Sequence, residues 1–423
     1  MQTPEAFQQA YRRSHYRLVG KAKHSAIKPC HWMIAKLYTG RDNRNCYKGY
    51  FGIRSEKCMQ VTPSLPYCTH SCVFCWRDVE AGSLGPRFTV PPDDPKDLVD
   101  AFVRNQVNIV RHGLHLDTFL LNQEIMADMV TTALQQENKL DIAEYNALQR
   151  YSKVKNEVAI TLLRVLGVVD TADLRHYELG AGMADMADAE AIVRERVTTK
   201  AEIERVYQEA QSPGHAAISL AGEPTLYPFI DELVEEFRLR SCTTFIVTNG
   251  TTPDTLAAMN SLPTQLYITL PPPDEALYRK IHRPLEKGMY GQIMKTLDLV
   301  GSLSCRTCLR ITLVKGLNGL SPESLVDGYV DLVNRANPNF LEIKGFAVEA
   351  RALLLKKRLG LGGTGDKIGE SASFAPSHED VMEFARQLAD AGGFQLLEQV
   401  EQSRDVLLRV NWPEGKSIRI EKP

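Results

Sequence analysis

Cys68-Thr-His-Ser-Cys72-Val-Phe-Cys75 sets three thiols on one short stretch, spaced C-x3-C-x2-C. Thiolates so placed can hold three corners of a four-iron, four-sulfide cube. A cluster built for electron transfer alone takes four cysteines, so a trio leaves one iron open to another ligand. Zinc with His70 as fourth ligand is the competing use of the same residues. Upstream lie Cys30, Cys46 and Cys58, with 15 and 11 residues between them. That spacing is too open for a zinc-finger knuckle. It suits either a second cluster or three unrelated buried thiols. Six of the nine cysteines fall within 46 residues, and an odd total cannot be fully paired in disulfides. In a cytosolic protein such a cluster serves metal. Cys305, Cys308 and Cys242 read as buried structural thiols.

Elements must carry these residues to one place. From residue 214 the chain alternates strand and helix: GHAAISLAG, CTTFIVTNG, TQLYITL, CLRITLVKG and FLEIKGFA read as strands, with amphipathic helical segments between them. Short β-branched runs suit strands buried on both faces. Repeated β–α units imply an α/β fold with a parallel sheet, open or closed into a barrel. A strand before the first helix, which begins near Asp94-Pro95, makes six. Sites on such sheets lie at the C-terminal strand ends. Those ends carry Gly222-Glu223-Pro224, Asn249, Thr269, Arg310, Thr312 and Lys344. Asn249 equally suits a helix cap or turn, Arg310 a structural ion pair, and Lys344 a structural lysine.

Composition narrows the class. The chain has 423 residues, 43% hydrophobic and 24% charged, which are globular values and exclude disorder for most of it. No apolar run reaches the roughly 18 residues that span a bilayer. The N-terminus lacks a secretory apolar segment, so a cytoplasmic protein is expected. The net charge of −2 decides nothing about nucleic acid, but its distribution does. Tyr11 to Lys57 holds 12 Lys/Arg against two acids, interleaved with Tyr, Trp and Phe. Cations neutralise phosphates and aromatic rings stack an extruded base. His115 to Ala210 holds 17 acids against 10 basic residues and reads as almost wholly helical. The expected organisation is a basic extension over 1–60, a core over 61–350 interrupted by a helical insertion over 113–210, and a C-terminal extension over 351–423 with Lys356 and Lys357 in a basic patch.

The cysteine loop, followed one strand later by Gly222-Glu223-Pro224, resembles the radical S-adenosylmethionine (SAM) superfamily. That resemblance implies a partial (β/α)6 TIM-like barrel with a basic N-terminal cluster-binding extension and a helical insertion. It implies a [4Fe-4S] cluster on Cys68, Cys72 and Cys75, and SAM on the open iron. One electron then cleaves SAM to a 5′-deoxyadenosyl radical. Gly222, Glu223 and Pro224 would meet the SAM ammonium. Asn249, Thr269, Arg310 and Thr312 would line the rest of its site, Arg310 pairing its carboxylate.

A narrower likeness rests on Cys46-Tyr-Lys-Gly-Tyr-Phe-Gly-Ile-Arg-Ser, Cys58-Met-Gln-Val-Thr-Pro, the loop ending Cys75-Trp-Arg, Tyr278-Arg-Lys-Ile-His-Arg-Pro284 and Glu342-Ile-Lys-Gly-Phe346. It is similar to the 4-demethylwyosine synthase family, over roughly residues 28–112 and 212–350. The likeness implies a carbon–carbon lyase that condenses 1-methylguanosine at position 37 of tRNA-Phe with pyruvate. It implies a second [4Fe-4S] cluster on Cys30, Cys46 and Cys58. It makes Lys48 the lysine that forms a Schiff base with pyruvate, in place of a solvated or phosphate-binding lysine. A lowered Lys48 pKa would assist that attack. Lys344 would assist proton transfer. Arg41, Arg44, Arg54, Trp76, Arg77, Lys356 and Lys357 would contact tRNA. The archaeal-type members lack a flavodoxin domain, so an external one-electron donor, flavodoxin or ferredoxin, and a monomer are expected. The competing readings are another radical SAM enzyme with a different substrate, and a non-catalytic iron–sulfur or zinc RNA-binding protein.

Anaerobic reconstitution is expected to load about eight irons and eight sulfides per chain, falling to about four of each when Cys30, Cys46 and Cys58 become alanine. About four in both proteins would leave a single cluster.

Overall fold

The computed structural model describes residues 4–39, 46–79, 82–113, 200–320, 325–348, 350–362 and 371–420. It divides into two compact units. The first comprises residues 1–30, 45–107 and 213–423, and the second residues 31–44 and 108–212. In the second, the described residues include the helices His31–Thr39 and Lys200–Ala210. Most of the helical insertion expected over 113–210 lies outside the described residues.

The first unit is built on one ten-stranded sheet. Its strands are β1 (Arg17–Val19), β2 (Ser25–Ile27), β3 (Cys58–Thr62), β4 (His215–Ile218), β5 (Thr243–Thr248), β6 (Gln265–Thr269), β7 (Arg306–Leu313), β8 (Phe340–Gly345), β9 (Gln395–Val400) and β10 (Asp405–Arg409). The order is β1-β2-β3-β4-β5-β6-β7-β8-β10-β9. Strands β3 to β8 are parallel, giving the six expected. Antiparallel strands extend both edges: β2 pairs β3, and β10 pairs β8. The sheet is open, since β1 and β9 each end it. The boundary expected at residue 60 runs through β3, and the C-terminal extension supplies β9 and β10. Both extensions therefore complete the sheet.

Side-chain alternation gives the sheet two different faces. On one, Met59, Val61, Ile218, Ile246, Leu266, Ile268, Leu309, Ile311, Leu341 and Ile343 are buried against helix residues such as Leu98, Leu233, Leu297, Val333 and Phe384. Each fully buried aliphatic side chain contributes about 1.5–3 kcal/mol. On the inner face, Phe245, Tyr267, Cys308, Phe340 and Leu407 pack against Phe51 and Ile53 of the N-terminal segment, with Trp412 and Ile418 of the C-terminal tail alongside. That packing fills the inner face toward the N-terminal strand ends. Four of the six parallel strands have one partly exposed position near their C-terminal ends, Val247, Thr269, Thr312 and Lys344, and β3 has one at its middle, Gln60. The inner face thus opens where sites on parallel sheets are expected.

Two loops meet at that opening. Glu223 N–H donates to the Tyr67 carbonyl at 2.7 Å, and Ser64 Oγ donates to the Glu223 carbonyl at 2.7 Å. The approach is close enough to require glycine at 222. Its φ is +76°, and a Cβ there would stand 2.1 Å from the Ser64 carbonyl oxygen. Gly222→Ala is therefore expected to cost at least about 2 kcal/mol in denaturant unfolding, from left-handed strain plus a backbone clash. Gly393→Ala, at φ +67° with nothing within 4 Å, is expected to cost about 1 kcal/mol. Equal losses would show that the clash adds nothing.

Candidate active site

Residues 68–75 follow β3 and are laced to the segment after β6. Ser71 N–H donates to the Arg283 carbonyl, Val73 N–H to the Ile281 carbonyl, and Leu285 N–H to the Thr69 carbonyl, at 2.8–3.1 Å. Arg358 clamps the loop from the C-terminal side, donating to the carbonyls of Cys75 at 2.6 Å and Val73 at 3.2 Å. Cys68, Cys72 and Cys75 remain partly exposed. Burial pushes the Cys68 thiol up to about 11 against the pull of Arg77, and raises Cys72, where Cys75 and Cys68 add to the shift. Thiols so held give up their protons to a metal rather than to water.

The donor spacing tests what the trio can hold. Thiolates on one zinc ion sit about 3.8 Å apart in tetrahedral geometry at Zn–S of about 2.3 Å. Among the described residues, the one His/Cys/Asp/Glu group with all ligand atoms within 4.8 Å of one another is His70, Cys72 and His282. The three thiols are too far apart to share an ion, and a four-iron cube spaces its ligands more widely. His70 Nε2 lies 2.6 Å from Tyr278 Oη, while its Nδ1 is buried with no hydrogen-bond partner among the described residues. The residues fit a cluster rather than zinc. His282 Nδ1 lies 3.7 Å from Cys72 Sγ, and burial lowers the imidazole to about 4, keeping it neutral there.

The Gly-Glu-Pro turn differs from expectation in one respect. The Glu223 carboxylate is buried and committed within the fold. Its Oε1 accepts from Thr225 N–H (3.1 Å), Thr225 Oγ1 (2.6 Å) and Thr248 Oγ1 (2.7 Å), and its Oε2 from Asn249 N–H (2.7 Å). Burial raises its pKa although these bonds oppose the rise. The side chain locks the turn, which leaves contact with an ammonium to the main chain. Asn249 is committed too. Its amide donates to Thr69 Oγ1 at 2.8 Å and to Cys68 Sγ at 3.7 Å, and its Oδ1 accepts from Thr251 N–H and Oγ1. It is a turn residue that ties β5 to the cysteine loop.

Cys46, Lys48 and Cys58 belong to the segment that enters the inner face. Cys46 precedes the 3-10 turn Tyr47–Phe51, which Gly52 ends at φ +80°. Lys48 is buried, with Nζ 3.0 Å from Tyr47 Oη and 6.0 Å from the Phe245 ring on β5. Burial pushes Cys58 up to about 12 against Lys48, while Cys46 and Cys30 add to the rise. All three cysteines and Lys48 are thus within electrostatic reach. The Lys48 pKa moves opposite to expectation. Burial lowers it, but Tyr47, Cys46 and Cys58 outweigh burial and raise it.

Tyr47 is the centre of this region. Lys48 Nζ, Arg310 Cζ and Lys344 Nζ lie 4.4, 4.3 and 5.1 Å from its ring centroid. Arg310 Nε pairs Glu342 Oε1 at 2.7 Å on the neighbouring strand, so the structural ion pair prevails over an open carboxylate receptor. Tyr50 Oη donates to the other Glu342 oxygen at 3.2 Å. Lys344 donates to both oxygens of buried Asp405, at 2.9 and 3.2 Å. Burial lowers the Lys344 pKa, but Asp405 and Glu342 raise it on balance, so it stays a cation. Thr269 and Thr312 share the inner face with these residues.

The residues expected at tRNA part company. Arg41 and Arg44 lie outside the described residues. Arg54 pairs with buried Glu56 at 2.6 Å. Arg77 is 2% exposed and cannot reach a phosphate. Trp76 and Lys356 are partly exposed and Lys357 is exposed. Sequence reasoning missed Tyr47 as a cation platform, Asp405 as the partner of Lys344, and Arg358 as a loop clamp. Only DVLLR, a short apolar strand signal, pointed toward Asp405.

Residues 181–327 match the model of the radical SAM superfamily, whose members carry a [4Fe-4S] cluster and SAM. The chain is 32% identical over 96% of its length to the S-adenosyl-L-methionine-dependent tRNA 4-demethylwyosine synthase of Pyrococcus abyssi, covering 89% of that protein. It is 28% identical to the enzyme of the same name from Methanocaldococcus jannaschii, covering 96% of each. A solved structure of TYW1 with a lysine–pyruvate adduct bound superposes with a TM-score of 0.63 at 25% identity, over 99% of this chain and 100% of that one. An archaeal TYW1 crystal structure gives a TM-score of 0.58 at 22% identity, over the same shares. The chain belongs to the S-adenosyl-L-methionine-dependent tRNA 4-demethylwyosine synthase family of radical SAM proteins.

Proposed function

We propose that this protein condenses 1-methylguanosine at position 37 of tRNA-Phe with pyruvate to form the tricyclic base 4-demethylwyosine, with Lys48 as the amine that captures pyruvate. The observation that carries the reading is the placement of Lys48: a buried lysine on the inner face, among Cys30, Cys46 and Cys58 and beside Tyr47. A relative's structure holding a lysine–pyruvate adduct supports it. A [4Fe-4S] cluster with SAM on its open iron supplies the one-electron cleavage that starts hydrogen abstraction. Cys68, Cys72 and Cys75 would hold that cluster, and Cys30, Cys46 and Cys58 a second one.

The chain's own groups divide the remaining work. Lys48 must lose a proton before its amine attacks a ketone. Tyr47 Oη, 3.0 Å from Nζ, is the group placed to exchange that proton. Lys344 is held as a cation by Asp405, so its part is a fixed positive charge over the inner face rather than proton transfer. Main-chain carbonyls of the turn at Gly222 and Pro224 would receive the SAM ammonium, with Asn249 holding the turn against the cysteine loop. Thr269 and Thr312 offer hydroxyls at the open strand ends. A guanine must leave its stack to reach this face. Trp76, Lys356 and Lys357 flank the cysteine loop and would receive the nucleic acid. An external one-electron donor of the flavodoxin or ferredoxin type would reduce the cluster of a monomeric, cytoplasmic enzyme. No helix among the described residues is long and apolar enough to cross a membrane.

Lys48→Ala is expected to lower 4-demethylwyosine formation at least about 10³-fold. Reductive SAM cleavage should persist in that variant, and borohydride should trap labelled pyruvate on the unaltered protein alone. Product formation within about tenfold of the unaltered enzyme would remove Lys48 from the reaction. SAM cleavage without tRNA product in either protein would favour a radical SAM enzyme with another substrate.

A further inference from the structure

Arg77 has no place in that reaction and no access to nucleic acid. It follows Cys75 by two residues and is 2% exposed. Among the described residues its guanidinium makes one hydrogen bond, from Nη2 to the His70 carbonyl at 3.4 Å, while Nε and Nη1 have no partner. A buried guanidinium left this way is costly unless negative charge faces it. Among the described residues no carboxylate supplies that charge. Asp78, the next residue, pairs with Arg351 at 3.1 Å. Glu223 spends both oxygens on the turn. Tyr11 donates its hydroxyl to the Leu65 carbonyl and is kept neutral by burial. The thiols remain. Arg77 follows Cys75 by two residues, and its Nη2 bonds the carbonyl of His70, which lies between Cys68 and Cys72 on the same loop.

We propose that Arg77 is the built-in counter-charge of the cluster that Cys68, Cys72 and Cys75 hold, and that it sets the cluster's reduction potential. The inference rests on the assignment of those cysteines made above. A four-iron cube on three thiolates carries one unit of negative charge when oxidised. One electron from an external one-electron donor raises it to two, and no bond forms or breaks. A fixed cation beside the thiolates stabilises the doubly charged form more than the singly charged one. In a buried setting that difference is little screened. Arg358 also touches the loop, but it spends its donors on the carbonyls of Val73, Cys75 and Arg77 and acts as a clamp.

The test is a potentiometric titration of the reconstituted protein, followed by electron paramagnetic resonance of the signal that changes when SAM is added. At the poise where the unaltered cluster is half reduced, Arg77→Gln is expected to show about a tenfold lower ratio of reduced to oxidised cluster, a midpoint about 59 mV more negative. Arg77→Lys should keep the unaltered midpoint. An unchanged midpoint in Arg77→Gln overturns the proposal, and so do equal falls in both variants, which would make shape rather than charge the cause. Should Arg77→Gln fail to retain iron, retention by Arg77→Lys supports a charge requirement and loss from both overturns it. Absence of any SAM-sensitive cluster in the unaltered protein would instead refute the cysteine assignment beneath the proposal.

Discussion

The buried carboxylate of Glu223 is the interaction on which the geometry of the site depends. It gathers donors from Thr225 in its own turn and from Thr248 and Asn249 at the end of β5. Asn249 passes the constraint on by bonding Thr69 and Cys68. Ser64 and Tyr67 close the circuit from β3. Three strand ends and the cysteine loop are thereby fixed to one another through one residue, its carboxylate on one side and its main chain on the other. A carboxylate buried with this many donors is satisfied, whereas removing it would leave several donors unpaired at once. The turn therefore presents main-chain groups at fixed positions to whatever binds above it.

A second constraint joins the N-terminal segment to the strands. Tyr47 offers its ring to Lys48, Arg310 and Lys344, and Arg310 also lies 4.5 Å from the Tyr267 ring. Three like charges around one ring would repel without compensation. Glu342 and Asp405, both fully buried, supply it. Asp405 comes from β10, so the C-terminal hairpin is part of the electrostatics of the inner face as well as its edge. The same arrangement explains why Arg310 is not free to receive a carboxylate. Its charge is already shared between Glu342 and two aromatic faces.

Much of this was legible in sequence because it is local. The C-x3-C-x2-C loop, the six buried strands and the residues at their ends lie in short runs with distinct patterns. Lys48 was marked only by a family likeness, since its surroundings are assembled from four separate stretches of chain. What stayed hidden is non-local. Lys344 and Asp405 are 61 residues apart in sequence, and Arg358 reaches Cys75 across 283. Burial was hidden as well. Arg77 is marked for tRNA contact by the family likeness, and its packing makes it an interior charge instead. Pairing misled in a similar way. Arg54 reads as an available cation, and Arg310 equally as a SAM contact or a structural ion pair; each has a carboxylate partner.

The placement of the two cysteine sets limits where chemistry can occur. Cys58 begins β3 and lies level with His215, at the N-terminal side of the sheet. The Cys68 loop follows the opposite end of the same strand. A five-residue strand spans about 16 Å, so Cys58 and the start of the segment that leads to Cys68 lie at the two ends of one rigid element. Lys48 faces Phe245, two residues along β5 from the level of Cys58, and the cations around Tyr47 continue along the inner face toward Lys344. The lower part of that face is filled by Phe51, Phe340 and Trp412, while the partly exposed positions lie toward its other end. Among the described residues, the open positions of the inner face thus lie toward the C-terminal strand ends, the side on which the loop carrying Cys68, Cys72 and Cys75 follows β3.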